Sequence, residues 1–243
     1  MRASAASNSR RSGSRGSKRA RLRRNSRSLR SRSLRFEQFE PRLLLSLVPW
    51  DGGPAGTGTN WSDPANWVGD VLPTAADDVQ IGAAFASRTI SSANNVTINQ
   101  LTSEAALTIS GGTFYAATTI QVNNTLTLSG GTLKHATVLP GSGGHRITFT
   151  SSGGTLDGVT VNGDLDLTGG GKANVGALVT GGLTLNGTAS LGSDSTSGQL
   201  YFSGSQTLGG TGSVVFGSYF DGNYWTSTVP TGLYALDAGM TLT

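Results

Sequence analysis

The chain has 243 residues, 36% hydrophobic content, 36 glycines and no cysteine, which is too little apolar material for a thick globular core and excludes disulfides and thiolate metal sites. Its net charge of +4 joins two opposite segments. Residues 1–42 hold 14 Lys or Arg against Glu37 and Glu40, leaving four bases and twelve acids in the rest, so the basic pI describes a tail and the body is acidic.

Residues 1–35 alternate Arg with Ser, Gly, Ala and Asn and have no apolar periodicity, so this leader is expected to be disordered. Such a tract suits a nucleic-acid arm, the positive leader of an export signal, or a solvated tail. Nucleic acid is the weaker reading, because the acidic body repels phosphate. Residues 36–50 change chemistry abruptly, to two acids, a proline and a leucine run. The best apolar stretch, "LLLSLVPW", falls far short of the ~18–20 residues a membrane-spanning helix needs, and no A-x-A cleavage pattern follows it.

Arg35, Phe36, Glu37, Gln38, Phe39, Glu40, Pro41, Arg42, Leu43, Leu44, Leu45 and Ser46 resemble the N-terminal LEPR-XLL motif of very large bacterial proteins that are exported or held at the cell surface. Phe39 departs from the family's usual leucine. The resemblance implies that Arg35, Phe36, Glu37, Phe39, Glu40, Pro41, Arg42, Leu44 and Leu45 form an export or sorting motif read by export machinery, and that the protein is secreted or displayed on the cell surface.

Residues 51–82 contain Trp61 and Trp67 around Ser62, Asp63, Pro64 and Asn66, then Asp77, Asp78, Val79 and Ile81. Ser-Asp-Pro and Gly69-Asp70 are turn chemistry, and Val79 and Ile81 alternate as in a short strand. The block resembles the opening, with P-x-x-x-D-D-V-x-I, that precedes β-helix repeats in adhesin-like proteins of the autotransporter and hemagglutinin type. Two indoles there suit the cap that a repeat stack needs at its open apolar end. The competing reading is sugar stacking on exposed rings. Asp77 and Asp78 read as a solvated turn.

Residues 83–243 read as β-solenoid repeats, and from Val96 onward a phrase recurs: "ALTISGGTF", "TLTLSGGTL", "RITFTSSGGTL", "GDLDLTGGG", "GLTLNGTASL" and "QLYFSGSQTLGGTG". Its strand starts, Leu107, Leu126, Ile147, Leu165, Leu183 and Leu200, give steps of 19, 21, 18, 18 and 17, the signature of a coiled repeat. Apolar residues alternate, as at Leu126 and Leu128 or Val159 and Val161, so one face is buried. Thr125, Thr127, Thr160 and Thr184 take the outward positions. The expected fold is all-β: a parallel β-helix (β-solenoid) of some seven circuits, right-handed, preceded by the Arg/Ser-rich tail. An antiparallel sandwich is the structural rival. Met240 and Leu242 start another strand, so the chain is expected to stop inside an unfinished coil, as a truncated frame of a much longer protein or as a shortened relative, with Phe220, Tyr224 and Trp225 partly shielding that end.

Chemistry-bearing residues are sparse. Beyond residue 82 the bases are Arg88, Lys134, Arg146 and Lys172. Asp164 and Asp166 are the close acidic pair expected to share a strand face, with Asp157 just before, and calcium there is left open. His135 and His145 lack a third ligand at zinc spacing. No nucleophile elbow or phosphate loop occurs, and Asn60, Asn95, Asn123 and Asn186 are N-x-S/T sites that threonine-rich strands produce by chance. No catalytic, cofactor or metal residue is assigned. The expected function is an exported, non-catalytic β-solenoid module, structural or adhesin-like, whose surface ligand is a polysaccharide or another cell-surface protein. The alternative is a carbohydrate-active β-helix, a polysaccharide lyase or hydrolase, or a fragment of one.

Overall fold

A computed structural model describes residues 46–142, 144, 146–204 and 206–218, with the backbone of strands Tyr224–Ser227, Tyr234–Leu236 and Thr241–Leu242. The Arg/Ser-rich leader, the nine named residues of the export motif, His145 and Phe220 lie outside the described residues.

The chain winds as a β-solenoid with three faces. Visited in turn, they receive strands such as Leu126–Leu128 on the first, Thr132–Lys134 on the second and Thr137–Leu139 on the third. Every ladder between these strands is parallel. The first face is an eight-stranded sheet from Thr89–Ser92 to Thr241–Leu242. Two long strands, Gly154–Val161 and Val175–Leu185, turn the corner between the second and third faces and join these as one 14-stranded sheet.

Three inward columns make the core. On the first face Ile90, Leu107, Leu126, Ile147 and Leu165 lie in register, followed by Ala189 and Val214. The second face stacks Val96, Phe114, Leu133, Leu156, Val179 and Phe202. The third stacks Val79, Leu101, Ile120, Val138, Val161 and Leu185. All are buried in one apolar cluster. Burying a Val, Leu, Ile or Phe side chain contributes about 1.5–3 kcal/mol, so a narrow core suffices when each rung rests on the next.

The period drifts more than sequence spacing indicates. Leu183 and Leu200 do not continue the Leu107 to Leu165 column, because Leu183 pairs with Val159 and Leu208, and Leu200 pairs with Ala177 and Trp225. Above Leu165 the column passes to Ala189 and Val214. The physical reason is a lengthened corner: the chain runs from first-face Leu107 to second-face Phe114 in the early windings, and from Leu165 to Val179 in a later one.

Outward hydroxyls bond along the axis. Thr127 and Thr148 are 3.0 Å apart, Thr150 donates to Ser129 at 2.9 Å, and Ser91 approaches Ser110 at 3.3 Å. Corners are tied by amide and carboxylate oxygens that accept the N–H of a following winding: Asn95 from Thr113, Asn174 from Ser197 and Asn186 from Thr211. Glycine serves where the corner is tightest. At Gly112 φ is +59°, and a Cβ would lie 2.5 Å from the Asn94 carbonyl carbon, so no other residue fits without a backbone shift.

The N-terminal end is filled by indoles. Trp50, Trp61 and Trp67 are 3%, 2% and 0% exposed, which removes Trp61 and Trp67 from the surface that a sugar could reach. Trp67 meets Trp50 edge-on at 4.7 Å and Trp61 at 4.8 Å, and Trp61 meets second-face Phe114 at 5.0 Å. Trp67 Nε1 donates to the Trp61 carbonyl at 2.9 Å. Strand Ser46–Pro49 pairs with Asp77–Ile81, so the end of the leucine run is itself a rung of the rod. Asp77 and Asp78 open that strand instead of lying in a turn.

Candidate functional site

The lengthened corner borders a concavity on the second face. Its segments cross from the first face to the second around Ser151 to Gly153, Gly169 to Asn174 and Gly192 to Ser197. The resulting groove is about 560 Å³ and is lined by Gly130, Ser151 to Thr155, Asn174 to Gly176, Leu178, Ser197, Gln199 and Tyr201. Thr155, Leu178 and Tyr201 form one outward column across three windings, so the groove runs along the axis. Tyr201 leans off this column onto the preceding winding: a Cβ at Gly176 would stand 3.1 Å from Tyr201 Cε2 and 3.7 Å from Cδ2.

The neighbouring outward column of the same face holds Tyr115, Lys134, Asp157 and Thr180 in register. Lys134 Nζ lies 2.8 Å from Asp157 Oδ2. The adjacent His135 is exposed at a corner with φ +53°, and its ring lies 5.9 Å from that of Tyr115. Positive φ at a non-glycine residue is uncommon. Here the space is shaped by Gly158 of the next winding, where a Cβ would come 2.9 Å from His135 Cδ2.

The carboxylates singled out in the sequence are dispersed. Asp157 faces outward on the second face beside Lys134. Asp166 lies on the first face, where it accepts from the Thr168 N–H and hydroxyl at 2.9 and 2.6 Å and lies 3.5 Å from Arg146. Asp164 does not share that strand: it precedes Leu165–Leu167 and accepts the Thr188 N–H at 2.8 Å, as Asn95 and Asn186 do at equivalent corners. Its oxygen therefore replaces a missing backbone partner. Among the described residues no three His, Asp or Glu side chains gather as metal ligands. The N-x-S/T residues Asn95, Asn123 and Asn186 are engaged in corner hydrogen bonds. No described helix is long and apolar enough to cross a membrane.

Two carboxyls are held below the ordinary aspartate range. For Asp157 the main cause is the Lys134 hydrogen bond, helped by that ammonium's charge and by Thr180, against a smaller opposing effect of burial. For Asp77 burial pushes upward, and hydrogen bonds from the Ser46 and Thr74 hydroxyls and the Thr74 N–H together outweigh it. A pKa lowered in the folded state contributes stability above the unfolded value, near pH 4, that is lost as pH falls through the folded value. The thermal midpoint is therefore expected to be level from about pH 5 upward and to fall below about pH 4. Asp157→Asn is expected to lower the midpoint at pH 7 and to flatten its acid limb, measured by circular dichroism melts. An equally steep limb would remove Asp157 from that role.

No protein-family model matches the chain, and neither the curated proteins nor the solved structures contain a significant match.

Proposed function

We propose that the chain is an exported, non-catalytic module of a bacterial cell-surface or extracellular protein, a stiff spacer with adhesin-like contacts. The carrying observation is the continuous three-faced stack: parallel hydrogen bonds along the axis make a rod, and several of its outward hydroxyls pair from winding to winding. Such a surface gives mechanical length and repeated weak contacts, with affinity arising through multivalency. The resemblance of Arg35 to Leu45 to the LEPR-XLL motif supports delivery to the surface. The dispersal of Asp157, Asp164 and Asp166 favours this reading over a polysaccharide hydrolase, which needs paired carboxyls across one substrate, and over a lyase that gathers several carboxylates around calcium on one face.

Export is tested by fractionating a bacterial host that carries the motif system and expresses the full chain. The native chain is expected outside the cytoplasm, and Pro41→Ala with Arg42→Glu is expected to retain it inside. Native chain found only in the cytosol would reject the proposal.

A further inference from the structure

We propose that the second-face groove binds a neutral oligosaccharide segment laid along the rod axis, with one pyranose ring against Tyr201. This inference supplies a ligand class for the surface module proposed above and rests on that reading for its biological setting.

The lining decides the class. Ser151, Ser152 and Thr155 bring accessible hydroxyls beside the buried Ser197, Asn174 and Gln199 bring amides, and no charged side chain lines the groove. Lys134 in the neighbouring outward column is paired with Asp157 at 2.8 Å, and Lys172, exposed in the corner two residues before Asn174, is not among the lining residues. A nucleic acid or a uronate polymer needs unpaired cations, because phosphate and carboxylate contacts supply most of such binding. An extended peptide binds a sheet by adding a strand at a free edge, whereas the strands flooring this groove are paired on both sides by neighbouring windings. An amphipathic helix needs a broad apolar stripe, and Leu178 and the buried Val175 do not make one.

A neutral sugar matches what remains. A pyranose has a flat C–H face, which suits an aromatic ring, and a rim of hydroxyls that both donate and accept, which suits Ser, Thr, Asn and Gln. The floor suits it as well, since at Gly176 the absent Cβ is what lets the Tyr201 ring lie down on the surface. Since the lining residues recur at Ser151 to Thr155, Asn174 to Leu178 and Ser197 to Tyr201, successive windings present similar polar groups to successive sugar units. The groove therefore favours a polymer segment over a monosaccharide.

The test titrates the purified full chain by calorimetry with β-1,4-linked hexasaccharides of glucose, mannose and xylose, and with hexagalacturonate. At least one neutral hexasaccharide is expected to bind with a millimolar or tighter Kd that is insensitive to salt, and the corresponding monosaccharide to bind far more weakly. Tyr201→Ala is expected to weaken binding by roughly tenfold or more, and Tyr201→Phe to leave it within a few-fold. Gly176→Val places a side chain where the Tyr201 ring lies, at a backbone angle open to any residue, and is expected to abolish binding. Far-UV circular dichroism identifies the variants that fold, and any one folded variant of the two disruptive ones decides the outcome. The proposal is overturned if no neutral hexasaccharide binds, if hexagalacturonate alone binds, or if a folded Tyr201→Ala or Gly176→Val binds as the native chain does. Binding is read on purified protein and export on cell fractions, so failure of either leaves the other result intact.

Discussion

Trp67→Ala is expected to destabilise the solenoid by about 3–5 kcal/mol, the range for truncating a large buried aromatic. Trp67 has no exposed surface and sits between Trp50 and Trp61 in edge-on contact with both. Its removal also leaves the Trp61 carbonyl without the 2.9 Å indole bond. The loss is transmitted inward, because Trp61 packs on Phe114 of the second-face column. Trp50→Phe is the informative contrast. The Trp50 Nε1 group is buried without a hydrogen-bond partner, and an unsatisfied buried donor costs about 1–3 kcal/mol. Phenylalanine deletes that donor and keeps a ring, so the cost of the small cavity it leaves is partly offset and is expected to be below about 1.5 kcal/mol. Urea denaturation of the two variants checks both values. Equal losses would mean that the indoles do not form a connected end of the core.

Much of the winding was legible in the sequence because the buried side of a strand repeats every two residues whatever lies around it. Leu126 and Leu128, Val159 and Val161, and Leu183 and Leu185 are inward as their alternation predicts. Alternation does not say which of three faces a strand occupies. "TLTLSGG" around Leu126 lies on the first face, whereas the similar "GLTLNG" around Leu183 lies on the third, at the end of the long strand Val175–Leu185. Treating them as equivalent gave a falsely even period. The signal that separates them is the glycine-rich insertion "TGGGKAN" before Val175, which lengthens the corner and creates the groove.

The groove itself was not legible, since Ser151, Asn174 and Tyr201 are brought together only by the register of three windings. Asp164 lies off the strand face expected to hold it with Asp166 for a related reason: nothing in one dimension marks it as the acceptor of the Thr188 N–H of the next winding. The tryptophans show the reverse case. Their turn-rich spacing pointed to a terminal structure, and burial in the core cluster distinguishes that from sugar stacking.

The central claim is that outward and inward residues lie directly over their counterparts one winding later, and because the chain has no cysteine engineered disulfides test it cleanly. Thr127 and Thr148 are register partners with hydroxyls 3.0 Å apart, and parallel neighbours are separated by about 4.8 Å, within disulfide reach. Thr127→Cys with Thr148→Cys is expected to oxidise fully in air and, by closing a loop of about 20 residues in the unfolded chain, to stabilise the fold by about 3 kcal/mol. Thr127→Cys with Thr150→Cys is displaced by two residues along the strand, beyond the ~7 Å limit, and is expected to stay reduced while the protein is native. Preferential oxidation of the displaced pair, or no oxidation of the register pair in folded protein, would contradict the stacked solenoid.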